Sequence, residues 1–195
     1  CALPILRVQS WARQEALDRP WRMVVNALST DATLEPAELI GQPLTLVTRL
    51  ADGREHLRPG IVTEASAEDA DGGLARYQLL VRPGLALLAQ GRHSRVWQET
   101  SVVDIVEAVL SSYAPQVAWR WADCTGPFLA DSAQAGLRSY TVQYRETDLD
   151  FIERILAREG LGYRFEACAD VPAGECVVFF ADSRSEEHTS ELQSH

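Results

Sequence analysis

Three acidic side chains, Asp148, Asp150 and Glu153, lie close together in the sequence, and a hydrolase or metal site would have to be built on them. Paired carboxylates divide acid and base roles when their surroundings separate their pKa values. Here, however, Asp148 and Asp150 occupy the first turn of a predicted helix, where they complement the helix dipole. Asp150 also precedes Arg154 by four residues, the spacing of a surface ion pair. With Asp150 and Glu153 on the polar face, where we expect solvation, the pattern favours capping and pairing over catalysis.

The other reactive side chains do not form a recognised catalytic or metal-binding pattern. The sequence contains no Gly-x-Ser-x-Gly elbow, phosphate loop or His-Glu-x-x-His motif, and none of its four cysteines forms a Cys-x-x-Cys pair. Cys168 and Cys176 flank a predicted hairpin loop and are expected to be reduced. His56 and His93 are expected to face solvent or to lie in turns. We therefore predict no catalytic residue, no metal ligand and no cofactor.

Composition excludes several classes of partner. The net charge is −10, and all 18 basic residues are arginine. Nucleic-acid binding draws on a basic surface that releases counterions, and the sequence contains no basic cluster. No apolar run reaches the roughly 18 residues of a membrane helix, and residues 1–13 lack the pattern of a Sec signal. We expect neither nucleic-acid binding nor stable membrane insertion.

The tryptophans are the remaining candidates for ligand binding. They are Trp11, Trp21, Trp97, Trp119 and Trp121. Such rings stack on bases or sugars, but in an acidic, β-rich chain we expect them in the core or at a subunit interface. A stand-alone binding module, for carbohydrate, is the alternative that these residues leave open.

The first ninety residues carry strand and turn signals. Short strands are predicted at 3–9, 21–28, 44–50, 57–66 and 75–82. Asp52 and Gly53 form a hairpin turn signal, and Pro59 requires that its strand lie at an edge or a bulge there. Several short strands separated by turns predict a small antiparallel β-barrel or sandwich.

Two amphipathic helices follow, each with a capping box. Ser101 and Asp104 cap the first, which ends before Pro115, and Thr147 and Asp150 cap the second. Gly160 stands at the left-handed position that ends the second helix. Strands are predicted at 119–121, 140–145, 161–166 and 176–180, and the segment 123–138 is predicted to be a loop.

The string from 144 to 166 resembles the hub region of the VgrG spike proteins of type VI secretion and the related baseplate hubs of contractile phage tails. The positions that carry this resemblance, in chain order, are Gly41, Gly60, Arg76, Tyr77, Arg95, Gln98, Tyr144, Arg145, Glu146, Asp148, Phe151 and Glu159. The chain departs from the family pattern at Pro59, where a His-like residue is usual, and at Gly84 and Ala86, where aromatic residues are usual. These departures bear on local packing.

The resemblance implies a β-rich α+β fold. A small antiparallel β-barrel of the tail-tube and baseplate-hub type would occupy residues 1–98, a helical connector 99–160, and the start of a second β region 161–183. Residues 184–195 resemble the translation of a sequencing adapter and are expected to lie outside the fold, with the remaining hub and spike following residue 183.

The resemblance also implies a structural role in the type VI secretion spike, as a trimeric hub that sits on the tail tube and serves membrane puncture and effector delivery. Its partners would be two further copies, an Hcp-like tail-tube protein, baseplate proteins and effector or adaptor proteins. The protein would be cytoplasmic before firing and then be secreted or delivered into a target cell without a Sec signal. The hub of a contractile phage tail and, in another class, a hydrolase based on Asp148, Asp150 and Glu153 are the alternatives. A hub fragment made alone is expected to expose apolar patches.

Overall fold

The first half of the molecule is a curled, antiparallel half-barrel. The computed structural model describes residues 6–31, 33–71, 74–131, 137–172 and 174–181. Five strands form the sheet in the order β1-β2-β5-β4-β3. They are β1 Arg7–Ala16, β2 Arg19–Ser29, β3 Pro43–Arg49, β4 Glu55–Asp71 and β5 Leu74–Arg82, with a short helix, α1 Pro36–Leu39, between β2 and β3. The predicted β-rich architecture with an antiparallel first unit is confirmed.

Alternating apolar residues build the core of the half-barrel. Successive side chains of a strand point to opposite faces, so every second residue of β2 and β5 is buried. The first core contains Trp21, Met23, Val25, Ala27, Leu39, Leu46, Val62, Ala75, Tyr77, Leu79 and Val81. Pro59 pairs with Thr45 of β3, beyond the point at which β5 ends. Its missing N–H therefore costs no ladder bond, as its predicted edge position requires.

A short turn closes the hairpin of β3 and β4. Arg54 N donates to Asp52 Oδ1 at 3.0 Å, and Gly53 has φ +84°, so Asp52 and Gly53 form the turn between β3 and β4.

Gly60 of β4 is needed because neighbouring side chains leave no room for a larger residue. A Cβ at Gly60 would lie 2.6 Å from Trp21 and 2.7 Å from Val81, so a larger residue does not fit beneath that indole.

The second half packs three helices against two small sheets. A 3₁₀ helix, Gly84–Ala89, leads into β6 Arg92–Trp97, α2 Val102–Ser111, β7 Ala118–Trp121, α3 Thr125–Asp131, β8 Thr141–Thr147, α4 Asp148–Arg158, β9 Leu161–Ala167 and β10 Glu175–Ala181. The strands β6 and β8 form an antiparallel ribbon, and β10 lies between β9 and a parallel β7. None of the helices in the described ranges is long and apolar enough to cross a bilayer.

A second hydrophobic core lies in the second half of the molecule. It contains residues of the 3₁₀ helix, α2, α4, β9 and β10, from Leu85 to Ala181. The division predicted at residue 98 stays a prediction; β6, which precedes that position, pairs with β8, far along the chain. The division at residue 160 falls inside this core, and residues 184–195 lie outside the described part.

One helix lies where a loop was predicted. The segment 123–138 was expected to be irregular because of Gly126 and Pro127, yet α3 spans Thr125–Asp131. Pro127 falls in the first turn, where its N–H would have no helical acceptor, so it does not interrupt the helix.

A small junction joins the two halves. Trp21 Nε1 donates to Glu175 Oε2 at 2.9 Å, and the Trp21 ring meets Phe165 edge to face at 6.5 Å between centroids. Tyr163 N donates to Asp18 Oδ1 at 2.9 Å. Phe165 packs against both cores, so this residue and Trp21 connect the half-barrel to the second half.

Candidate functional site: the ribbon of β6 and β8

Strand β8 and helix α4 contain most of the 144–166 motif. The junction between them places Asp148 in the interior. Asp148 is fully buried. Its Oδ1 accepts from Gln143 at 2.6 Å and from Arg95 at 3.0 Å, and lies 2.9 Å from His93 Nδ1. Its Oδ2 accepts from the Tyr113 hydroxyl at 2.7 Å. Four side chains from β6, β8 and the segment after α2 therefore converge on one carboxylate.

This network keeps Asp148 ionised. Burial alone would raise its pKa, but hydrogen bonds from Gln143, Tyr113 and His93 and the charge of Arg95 outweigh burial and hold the pKa below its ordinary value. Burial raises the pKa of Tyr113 to about 12, and its bond to the ionised Asp148 acts in the same direction. The carboxylate is thus held by a complete set of donors inside the protein and ties the ribbon to α2 and α4.

The structure adds one contact to this network that was not predicted. His93, expected to face solvent or to lie in a turn, has a side chain that is 43% exposed, and its Nδ1 also contacts Asp148. The pairing of β6 with β8 brings these residues together across 55 positions, which no local pattern reveals. A histidine beside a buried carboxylate resembles half of a catalytic pair. The neighbouring hydroxyl, Ser94 Oγ, accepts instead from Arg145 N at 3.3 Å and so contacts the backbone of β8.

The polar face of α4 also differs from its prediction. Arg154 does not pair with Asp150 but binds Glu146 and donates to Val142 O at 2.9 Å, so it ties α4 to β8. Glu153 is half-buried and accepts from the Tyr163 hydroxyl at 2.8 Å. Burial raises the pKa of Glu153, against the effect of that bond. Of the three carboxylates, only Asp150 is exposed as expected.

The ends of both helices follow the spacing of their caps. Ser101 Oγ accepts from Asp104 N at 3.1 Å, and Thr147 Oγ1 accepts from Asp150 N at 3.0 Å. Gly160 has φ +69° after the last turn of α4. Glu159, nearly buried beside it, forms an ion pair with Arg138.

The outer face of the ribbon is apolar and uncovered. Its exposed side chains are Val96 (52%), Tyr140 (59%), Val142 (36%) and Tyr144 (67%). Val96 and Val142 are directly opposite in the ladder, and Tyr144 is opposite Ser94. The Arg145 guanidinium lies over the Tyr144 ring at 5.4 Å. Because the inner face carries the Asp148 network and the outer face is apolar, the ribbon is a rigid surface suited to protein contact.

The remaining motif positions have structural contacts. Phe151 is buried and stacks on Trp97 at 5.0 Å between centroids. The hydroxyl of buried Tyr77 donates a hydrogen bond to Leu34 O at 2.8 Å. Gly41 has φ +83° after α1, exposed Arg76 lies 4.0 Å from Glu68, and the carbonyl of Gln98 accepts from Thr100 Oγ1.

Metal and thiol chemistry have little support in the described ranges. No group of three or more His, Cys, Asp or Glu residues there could hold a metal ion. The thiols of Cys124, Cys168 and Cys176 are free. Burial raises the pKa of the Cys176 thiol, which lowers its reactivity.

Comparison with known proteins gives consistent matches. The family model described as the phage tail baseplate hub (GPD) matches residues 14–194. Two type VI secretion system spike proteins of Pseudomonas aeruginosa are similar to this chain. VgrG1b is 31% identical over 83% of this chain and 20% of its own length, and VgrG4b is 31% identical over 85% and 19%. The chain thus spans about a fifth of these relatives.

A solved structure shows the same fold. The E. coli c3393 protein is described as a component of the type VI secretion system with structural similarity to the T4 bacteriophage tail proteins gp27 and gp5. It matches with a TM-score of 0.76 and 23% identity, over 94% of this chain and 48% of that chain. The arrangement of half-barrel, ribbon and second core is therefore an established protein architecture.

Proposed function

The chain belongs to the phage tail baseplate hub (GPD) family, and from that premise we propose that it forms part of the hub of a type VI secretion spike. Its role there is mechanical: it seats the spike on the tail tube and transmits the force of contraction. The observation that carries this proposal is the state of Asp148, which is buried and held by four side-chain donors. Asp148, which a hydrolase would need as a reactive group, instead anchors the ribbon, and the exposed side chains of the ribbon are suited to protein contact.

The partners follow from the same proposal. The full-length protein forms a homotrimer, binds an Hcp-like tail-tube protein and baseplate proteins, and carries effector or adaptor proteins. It resides in the cytoplasm before firing and leaves with the spike, without a Sec signal. The relatives that support this choice are named as spike proteins. Within the described chain, residues 7–82 are the first hub unit, and 84–181 form the second.

The hub of a contractile phage tail is the second candidate. Two findings favour this phage function: the description of the family as a phage tail baseplate hub, and the likeness of the E. coli structure to T4 tail proteins. Both functions use the same fold, so they differ in the particle that contains the protein and in what is released from the cell.

Gene disruption in the source organism tests the proposal. Loss of the gene should abolish release of the tail-tube protein into the medium, and the wild-type gene should restore it. As a matched pair, a full-length gene carrying Asp148→Asn should restore release poorly because the ribbon loses its anchor, whereas Asp150→Asn should restore it. Unchanged tube release in the disrupted strain would contradict the secretion function, and loss of phage-like particles instead would establish the second candidate.

A further inference from the structure

We propose that the outer face of the β6–β8 ribbon docks into the apolar groove at the open side of the half-barrel of a second copy of this chain. Copies then associate head to tail. This pairing rests on the proposed hub function, which it deepens by naming the two surfaces through which neighbouring subunits meet.

The groove lies at the two free edges of the half-barrel. Strands β1 and β3 each have one strand neighbour among the described residues, so the sheet does not close between them. The groove has a volume of about 390 Å³ and is lined mostly by apolar side chains from both edges and the sheet floor, among them Val8, Leu44, Leu46, Val47 and Val62. Val8 (45%) and Val47 (49%) are nearly half exposed. An apolar groove between open edges is a surface that proteins normally cover.

The ribbon carries apolar side chains that can fill the groove. It projects two aromatic and two aliphatic side chains from one flat face, and tyrosine is among the residue types that dominate protein contacts. The Asp148 network fixes the ribbon from behind, so docking would order few additional groups.

The charges beside the two surfaces are opposite. Arg92 and Arg145 are exposed at the Tyr144 end of the ribbon, and neither forms an ion pair within the described ranges. Helix α1, whose Leu39 lines the groove, carries Glu35 and Glu38, both exposed and likewise without an ion pair there. In a chain of net charge −10, two unpaired arginines beside an apolar face select an acidic partner surface.

These charges decide how two copies face each other. Ribbon against ribbon would place Arg145 near Arg145, and groove against groove would place Glu38 near Glu38. Only the pairing of ribbon with groove brings opposite charges together. Since the two surfaces differ, the contact is heterologous, and a suitable rotation closes it into a ring. In the proposed hub that ring has three members.

Sedimentation velocity of the chain over a concentration series tests the pairing. We expect wild-type chain to self-associate, and Tyr144→Ala or Arg145→Glu to weaken association about tenfold or more, since a central aromatic or a rim charge is lost. Glu38→Arg should weaken association similarly. The double variant Arg145→Glu with Glu38→Arg should regain most of it, because each interface again pairs opposite charges. Arg22→Glu, on the convex face of β2, is the control and should associate like wild type.

Two results would overturn the pairing. One is a chain that stays monomeric at every concentration, which would leave the groove to another partner. The other is association that Glu38→Arg leaves unchanged, which would mean that the groove is not the docking surface. Either result leaves the hub function standing if disruption of the gene still abolishes tube release, so the two proposals can fail separately.

Discussion

Two buried carboxylates, Asp148 and Glu175, differ in the number of donors around them, and their pKa values move in opposite directions. Four side chains donate to Asp148, and its pKa lies below the ordinary value. Burial raises the pKa of Glu175 to about 7, because the Trp21 indole and the more distant Arg13 compensate only partly. Burial therefore does not by itself decide the charge of an acidic residue; the surrounding donors do.

Asp148→Asn should destabilise the chain by about 3 kcal/mol at neutral pH, because Arg95 loses its carboxylate partner. The lowered pKa means that the stabilisation is present above the ordinary pKa of aspartate and is lost as the pH falls through the lower folded value. Urea unfolding at pH 7 measures the change. Asp150→Asn, at the exposed cap, is the control and should cost about 1 kcal/mol or less. Equal losses in the two variants would contradict the anchoring role.

Glu175→Gln should stabilise the chain above pH 7 and change little at pH 4 to 5. The folded pKa of Glu175 is raised, so its protonated form supports the fold at low pH and that support is lost as the pH rises through about 7. The gain has an upper bound of roughly 3 kcal/mol. Thermal unfolding at several pH values measures it. Glu166→Gln is the control of opposite sign, because Glu166 pairs with Arg120 and Arg164.

At the scale of elements, the apolar pattern of each strand and helix mainly determines which of its faces is buried. Close packing between elements further restricts which residues fit at particular positions. The apolar stripe of α2 is buried along its whole length, and β5 alternates buried and exposed residues almost without exception. Gly60 of β4 shows the added constraint. Its local sequence reads as an ordinary strand, but the indole of Trp21 fills the space above it.

Gly60→Ala should destabilise the half-barrel by about 1 to 3 kcal/mol, because the added methyl group overlaps Trp21 and Val81. Chemical denaturation monitored by tryptophan fluorescence measures the loss. Gly126→Ala is the matched control, since a Cβ there meets no atom within 4 Å and lies in α3. It should be neutral or slightly stabilising. A loss of similar size in both variants would show that the contact with Trp21 is unimportant.

At the scale of the whole molecule, two hydrophobic cores are joined by few contacts. Within the described ranges, hydrogen bonds from Trp21 to Glu175 and from Tyr163 to Asp18 cross the junction, and Trp21 also packs edge to face on Phe165. Whether the two halves unfold together therefore depends on the contacts across this junction.

The double variant Asp18→Ala with Trp21→Phe should separate the unfolding of the two halves. Each substitution removes one hydrogen bond worth about 1 kcal/mol across the junction. Trp21→Phe also leaves a small cavity in the first core, which lowers the stability of the half-barrel relative to the second core. Hydrogen exchange should then show the half-barrel and the second core opening at different denaturant concentrations, where wild type opens both together. Asn26→Ala, which removes the exposed bonds of Asn26 to Ser10 and Gln78 within the half-barrel and leaves the junction intact, is the control. Joint opening of both halves in the double variant would contradict the prediction.

The sequence by itself determined the local structure and the family. The caps at Ser101 and Thr147, the turn at Asp52 and Gly53 and the strand alternation depend on residues a few positions apart, and local spacing reveals them. The motif from 144 to 166 indicated a baseplate hub, which the family match supports.

Only the tertiary structure decided how Asp148, His93 and the two cores are used. The contact of His93 with Asp148 spans 55 positions, and that of Trp21 with Glu175 spans 154. Such contacts depend on which strands pair: β6 with β8, and β10 between β9 and β7. Burial and donors then set the charge of each carboxylate. The same pairing buries one face of the ribbon and leaves the other open, so the surface proposed for docking exists only in the folded chain.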